Sequence, residues 1–286
     1  MNNKIKERYF FIINIFIKIR NTFLVIFCYF FISTITIYAH EFWIEPIKYI
    51  NEEDNIIAHL KVGQNFRGMA LMYNNSDFTK FNILTGVKNK KDKIKGSLGD
   101  VPAINQKSSH DNLLIIYHET TDKFINYKKF SKFKDFVLEK SNKDILKKHT
   151  ELGYPEEKFV ESYRRYAKSL IAINGTSGQD KNTGLLFEFV LNNNPYELEN
   201  HIISAFLYYK KKPLINHKVT VFSKKNNKNI DIKKLVTDEK GLIEFQVEEG
   251  REYLLDSVII LPKKGNHKKN EPIWHSIWAS TTFAIP

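Results

Sequence analysis

Histidine is the residue type in this sequence best suited to transition-metal chemistry, and His40, His118, His149 and His275 are the strongest candidates. Imidazole nitrogen suits nickel, cobalt, copper and zinc. None of the nine histidines forms a short ligand motif such as HxH or HxxxH. A metal site would therefore have to be assembled from separate segments. The alternative for each candidate is an ordinary histidine of a strand, helix or loop.

His40 differs from the others because a predicted cleavage site precedes it. Residues 1–39 combine early basic residues, an apolar run over 23–32 and a small residue at Ala39, which is the pattern of a secretory signal peptide. Cleavage after Ala39 would free the α-amine of His40, which can chelate one metal together with imidazole Nδ1. The alternative is an uncleaved anchor over 22–39, although neither apolar run alone reaches the roughly 20 residues of a spanning helix.

Composition excludes several classes of protein. The single cysteine, Cys28, follows Phe27 rather than a small residue, so a lipid anchor is not expected. The net charge is +12, with lysines concentrated in loops such as 88–95, 224–228 and 263–269. We interpret these lysines as side chains on solvated turns, and we expect no nucleic-acid partner. No nucleophile elbow, P-loop or dinucleotide fingerprint is present, so the sequence predicts no enzyme.

The pattern over 40–200 predicts a β-rich domain with a helical insertion near 128–173. The first helix is expected to run from Phe130 towards His149, and Gly153-Tyr154-Pro155 should break it. A second helix is expected to begin at Pro155 and to carry one apolar face through Ile171. Its densest charged positions are Glu161, Tyr163, Arg164, Arg165 and Lys168. This motif suggests either a clamp for an anion or ion pairs that fix a helix against a sheet.

Residues 201–286 predict an immunoglobulin-like or carboxypeptidase-regulatory-like β-sandwich, because short strand patterns alternate with Pro-, Gly- and Asn-containing turns. Asp238 to Gly241 is expected to form one of these turns. The closing aromatic strand, 274–285, is expected to return to the N-terminal region. The overall fold class is therefore mainly β, with a helical insertion.

Residues 40–46, His-Glu-Phe-Trp-Ile-Glu-Pro, resemble the opening of a family of bacterial periplasmic proteins that is catalogued as a domain of unknown function. Further segments resembling the same family follow in order along the chain: 62–66, 161–170, 194–196, 237–241 and 278–283. The resemblance implies a periplasmic β-sandwich with a role in cation handling, as the periplasmic component of a cobalt or nickel transport system. Where the family often has an acidic residue, this chain has His275.

The expected function is therefore that of a periplasmic protein that binds nickel or cobalt, or else copper or zinc, and assists metal uptake. Its partners would be the metal ion and an inner-membrane permease or outer-membrane receptor, with membrane attachment only through an uncleaved signal. One alternative is a non-catalytic envelope binding module without metal. A third reading is a copper oxidase, because an N-terminal histidine on a β-sandwich resembles copper-dependent polysaccharide mono-oxygenases.

Overall fold

The computed structural model describes residues 40–226, 228–263, 265 and 270–286. The predicted signal peptide, its cleavage after Ala39 and the alternative anchor involve residues 1–39, which lie outside the described residues. Within the described part, no helix has the length and apolar character needed to cross a membrane.

Strands account for most of the described elements, with two α-helices between the ninth and tenth strands. The strands are β1 (Glu41–Pro46), β2 (Ile50–Asn51), β3 (Asn55–Gln64), β4 (Arg67–Leu71), β5 (Phe78–Thr85), β6 (Lys91–Lys93), β7 (Ile104–Lys107), β8 (Asn112–Thr120), β9 (Lys123–Tyr127), β10 (Phe159–Ile173), β11 (Phe187–Leu191), β12 (Ile202–Tyr209), β13 (Lys212–Pro213), β14 (Lys218–Lys225), β15 (Lys228–Val236), β16 (Leu242–Gln246), β17 (Glu252–Pro262) and β18 (Pro272–Ala284). The helices are α1 (Phe130–Lys140) and α2 (Asp144–Glu151).

Three sheets pack around one apolar core. The central sheet has ten strands in the order β15-β14-β17-β18-β10-β8-β5-β6, with β2 and β9 also paired to β10. A sheet of β1, β3, β4 and β7 and another of β11, β12, β13 and β16 supply the facing layers. Side chains from all three sheets share one buried cluster, including Ile44, Leu255 and Phe189. The prediction of a mainly β fold with sandwich packing is confirmed.

The closing strand joins the two halves of the chain. Strand β18 pairs in parallel with β10, so that Arg165 lies opposite Trp278, and pairs antiparallel with β17 on its other side. The expected return of the C-terminal strand to the N-terminal region is thereby confirmed. The ranges 40–200 and 201–286, which the sequence suggested as separate domains, meet within this one sheet.

The predicted second helix is wrong: residues 159–173 form the long strand β10. The apolar spacing that suggested a helix includes steps of four residues, and a step of four also keeps side chains on one face of a strand. Strand β10 is nearly continuous in its burial and has neighbours on both edges, which explains its lack of clean alternation. The helical insertion is limited to α1 and α2.

The two helices cover part of one face of the central sheet. In α1, Phe133 lies 5.4 Å from the Trp274 ring, and Phe136 stacks on Trp278 at 5.5 Å between ring centroids. The β3–β4 hairpin covers the adjacent part of the same face, where Trp43 and Phe66 form a small buried cluster with residues of β14 and β17. The sheet between these two covers is left partly open.

The turn predicted at Asp238 to Gly241 is present. A side-chain oxygen of Asp238 accepts hydrogen bonds from the backbone N–H groups of Lys240 and Leu242, each at 2.8 Å. Gly241 adopts a φ of +77°, which glycine tolerates without a steric penalty. Both physical reasons for the prediction therefore hold at this turn.

Candidate functional site

His149 is held by hydrogen bonds at both ring nitrogens. The indole N–H of Trp274 donates to Nδ1 at 3.0 Å, and Nε2 lies 3.1 Å from the carbonyl of Pro155. Because Nδ1 accepts, Nε2 must carry the proton and donate to Pro155. Burial lowers the pKa of the imidazole, which agrees with this neutral form. Both nitrogens that could bind a metal are thus engaged in fixing α2 against the sheet.

His118 is buried among phenyl rings on β8. Its ring centroid lies 5.2 Å from Phe42, 5.3 Å from Phe78 and 4.8 Å from Phe81. Burial lowers its pKa to about 3, so the ring is neutral at physiological pH. These ring neighbours supply no oxygen or nitrogen to share a metal, and the imidazole packs as an aromatic member of the core.

His275 lies on β18 with its side chain partly buried. Its Nδ1 is 2.8 Å from the hydroxyl of Ser162 on the neighbouring strand β10. Burial lowers its pKa, against the opposing effect of Asp122. That carboxylate is itself bound by the guanidinium of Arg164, at 2.7 Å from Nε to Oδ1. Asp122 is therefore already neutralised where it might have served as a second ligand.

His40 lies directly before β1 and is half-buried. A guanidinium nitrogen of Arg165 donates to its backbone carbonyl at 3.0 Å, which ties the start of β1 to β10. The pKa of the imidazole is lowered, first by burial and then by the charge of Arg165. Lys140 lowers it further, whereas the carboxylate of Glu139 raises it. The imidazole is consequently neutral near pH 7.

The four histidines are not brought together. Ser162, the partner of His275, and Arg165, which binds His40, are three positions apart on β10 and therefore point to opposite faces. Among the described residues, no group of three His, Cys, Asp or Glu side chains is spaced to hold a metal ion. Any metal site built on the predicted residues would have to begin with one histidine.

A buried charge network that the sequence did not predict lies beside His40. Lys140, at the end of α1, donates to the carboxylate of Glu41 and to that of Asp256 on β17, the latter at 3.1 Å. Burial raises the pKa of Glu41 to about 7 and raises that of Asp256, although Lys140 opposes both shifts. Two carboxylates around one lysine mean that this network holds protons more readily than exposed acids do. One sequence signal was available, because Asp256 interrupts the apolar run of β17.

The charged side chains of β10 bind other buried groups of the fold. Glu161 is fully buried and accepts hydrogen bonds from the hydroxyls of Tyr127, at 2.8 Å, and Ser276. Burial raises its pKa to about 7. Lys168, on the other face of the strand, is also fully buried and binds Asp180. Glu161 and Arg165 lie on the same face of the strand, but the short contacts of Glu161 are with hydroxyls.

A cavity of about 250 Å³ opens where the helices and the β3–β4 hairpin leave the central sheet uncovered. Its floor is β14, its outer rim is β15, and its two walls are the end of α1 and the β3–β4 turn. The lining residues are Gln64, Asn65, Glu139, Lys140, Thr220, Phe222, Ile232 and Lys234. Lys140 thus belongs both to the buried network and to the wall of this cavity.

Comparisons with known proteins give little beyond the family. No curated protein matches the chain significantly. Among solved structures, a tetra-tandem repeat from the extending region of a large adhesion protein is 7% identical and the match covers 87% of this chain and 50% of that chain, with a TM-score of 0.21. This chain thus spans about half the length of that structure. The D0-D1 domain of intimin is 11% identical, with 84% and 97% covered and a TM-score of 0.20. Similarities at such TM-scores carry no inference about function.

The family comparison is decisive by contrast. The family model described as "Domain of unknown function (DUF4198)" matches residues 37–260, which is more than half of the chain. The match includes the His40 segment, the helices, β10 and the buried network around Lys140. The chain belongs to the DUF4198 family.

Proposed function

We propose that this chain is exported to the bacterial periplasm, loses residues 1–39 and binds a divalent transition metal through His40. In this proposal it is a non-catalytic accessory of metal uptake, serving an inner-membrane permease or an outer-membrane receptor. Nickel and cobalt are the proposed cargo, with copper and zinc as competitors for the same nitrogen ligands. The family match covers residues 37–260 and so includes His40, on which the proposal rests.

The observation that carries the proposal is the position of His40 directly before the first described strand. That strand, β1, begins at Glu41. A cut after Ala39 would therefore leave the new α-amine directly at the start of a fixed strand. The hydrogen bond from Arg165 holds the backbone of His40 in place. Such preorganisation favours a two-nitrogen chelate by reducing the entropy lost on binding.

Some features of the surroundings of His40 favour metal binding, and others oppose it. A neutral imidazole is ready to bind metal without first losing a proton, and the lowered pKa of His40 supports this state. Glu139 is an exposed carboxylate whose charge acts on the ring, so it is the candidate for an added oxygen ligand. Arg165 and Lys140 repel a dication. We therefore expect a selective but moderate affinity, carried by the two nitrogens.

Calorimetric titration of the processed chain with nickel, cobalt, copper and zinc tests the proposal. Two altered forms should each bind at least about tenfold more weakly: His40→Ala, and a form with one extra residue before His40, which removes the six-membered ring closed by the α-amine and imidazole Nδ1. His201→Ala removes an exposed histidine elsewhere and serves as the matched control. Equal affinity of the processed and extended forms would contradict the terminal chelate.

Acidification gives a second readout of the same site. The α-amine has an ordinary pKa of about 7.7–8, so below that range a metal must displace its proton. We expect the association constant to fall by up to about tenfold per pH unit between pH 7 and pH 6. An affinity that does not change over this range would indicate that the amine is not a ligand.

A second candidate function is a non-catalytic binding module without metal, and the cavity bordered by Lys140 and Lys234 favours it. The two proposals are separable because His40 does not line the cavity, so a binding module would keep its ligand in the presence of a metal chelator. The copper-oxidase alternative rests on the N-terminal histidine alone, which the metal-binding proposal already uses.

A further inference from the structure

Strand β15 is an exposed edge of the central sheet. It pairs with β14 on one side and ends the sheet on the other within the part of the chain that the structure describes. Its nine residues make it longer than the edge strands β4 and β6, which have five and three. Most of its side chains are exposed. An edge of this length offers a row of backbone groups to an added strand.

The pairing with β14 determines which backbone groups point outward. The N–H of Thr237 donates to the carbonyl of His217, so these two residues form a hydrogen-bonded antiparallel pair. Hydrogen-bonded and non-hydrogen-bonded pairs alternate along such a ladder. By this alternation, two pairs are non-hydrogen-bonded: Ile232 with Phe222, and Lys234 with Thr220. Their N–H and C=O groups therefore point away from β14, towards the open edge.

The outward-pointing residues are also the ones that line the cavity. Ile232 and Lys234 form its rim, and their partners on β14, Phe222 and Thr220, form its floor. A strand that hydrogen-bonds to Ile232 and Lys234 would place its opposing side chains on this same face, about 5.5 Å away between Cα atoms. One of those side chains would thus be directed towards the cavity mouth.

The charge of the β14–β15 hairpin indicates which kind of strand fits. Lys225, Lys228, Lys233 and Lys234 are exposed, and none forms an ion pair with another described residue. The nearby carboxylate of Asp231 is neutralised by Arg251. Lysines on an edge repel a second copy of the same edge, which is a common protection against self-association. The same lysines attract an extended segment that carries carboxylates.

We propose that the free edge of β15 binds an acidic, extended segment of a partner protein, which adds to the sheet as a further strand and directs one carboxylate side chain to the cavity beside Lys234. Backbone hydrogen bonds supply affinity, and the cavity with its lysines supplies selectivity. The site is distinct from His40 and needs no metal.

Fluorescence anisotropy with labelled peptides of alternating Glu and Val, measured with a metal chelator present, tests this inference independently of metal binding. Two N-methylated isomers are compared, each blocking the N–H groups along one edge of the peptide. We expect the unmodified peptide to bind more tightly than about 1 mM, one isomer to bind equally well and the other to lose binding by at least about tenfold.

Protein variants locate the binding edge. Lys234→Pro removes an outward N–H and no bond to β14, so the fold should survive while the peptide binds at least about tenfold more weakly. The double variant Lys228→Glu and Lys233→Glu, which changes only exposed side chains, should weaken binding similarly. Lys88→Glu with Lys90→Glu makes the same charge change in a loop after β5 and should leave binding intact.

Three results would overturn the inference. One is the absence of binding by the acidic peptide up to about 1 mM. Another is equal binding of both N-methylated isomers, which would reduce the effect to charge attraction alone. The third is tighter binding of an acidic polysaccharide such as heparin with the same sensitivity to the lysine variants, which would assign the surface to a different class of polymer.

Discussion

Of the three buried lysines among the described residues, Lys168 and Lys140 lie in contrasting environments. Lys168 is enclosed by Asp180 and by the backbone carbonyls of Lys181 and Phe189, at 3.0, 3.1 and 2.7 Å from its ammonium. Lys140 instead joins Glu41 of β1 to Asp256 of β17 and borders a cavity. A buried charge is therefore no sign of a site by itself. Lys140 differs from Lys168 because one side of its network faces a cavity.

The carboxylates that bind these two lysines differ in how many backbone hydrogen bonds they accept. Asp180 also accepts backbone N–H groups of Lys181 and Leu191 at 2.7 and 2.8 Å, which keep it supported without its lysine. Glu41 accepts one such bond, from Asn65 at 2.9 Å, and Asp256 depends on Lys140 among the bonds seen in the described chain. The Lys168 site is thus the more completely satisfied of the two.

Replacement of the lysines should have the largest effect. Lys140→Met and Lys168→Met should each lower the free energy of unfolding by about 3–5 kcal/mol at pH 8, because each leaves buried carboxylates without a cation. Lowering the pH to 5 should relieve the loss more for Lys140→Met, since burial raises the pKa of Glu41 and of Asp256 and both then take up protons. Chemical denaturation at both pH values measures this. Equal recovery of stability at pH 5 in the two variants would contradict the difference between the two lysine sites.

An intermediate effect is expected for Asp180→Asn. The amide turns an NH₂ group towards Lys168 and leaves Glu188, 3.7 Å from its ammonium, as the remaining carboxylate. We expect a loss of about 2–3 kcal/mol in the free energy of unfolding at pH 7. Asp144→Asn, which makes the same charge change at an exposed position of α2, is the control. A loss no larger than that of the control would show that Lys168 is not held by Asp180.

Glu41→Gln should have the smallest effect, and its sign should depend on pH. The folded-state pKa of Glu41 is raised to about 7 from an ordinary 4.5, so the folded protein binds the proton more tightly than the unfolded chain. Wild-type stability therefore falls as the pH rises through this window, and the variant lacks that fall. Relative to wild type, the variant should gain about 2 kcal/mol from pH 5 to pH 8. A loss of stability relative to wild type over this pH range would contradict a raised pKa of Glu41.

The sequence predicted those parts of the fold whose signals are local. The turn at Asp238 to Gly241 depends on two residue types in adjacent positions, and it formed as expected. Strand β10 was mistaken for a helix because its pairing partners, β8, β9 and β18, lie far away in sequence. Its apolar spacing suits both structures, and only the surrounding sheet decides between them.

The sequence signals for the candidate site are local as well. His40 stays a prediction, which rests on its position after a cleavage pattern. That His149 would be bound by Trp274 and Pro155, and that His118 would lie among phenyl rings, depends on long-range packing that no spacing reveals. The network of Glu41, Lys140 and Asp256 combines three segments, so the sequence shows its members but not their contact.

The position of β18 has a consequence for how the chain acquires its structure. This strand lies between β17 and β10, and Ser162 and His275, which it brings together, are 113 residues apart. During synthesis from the N-terminus, β10 and β17 each keep one edge unpaired until β18 follows. A sheet closed by its final segment has a high contact order, so folding should be slow and should occur late. Until then the chain is in a form that chaperones bind and proteases cleave.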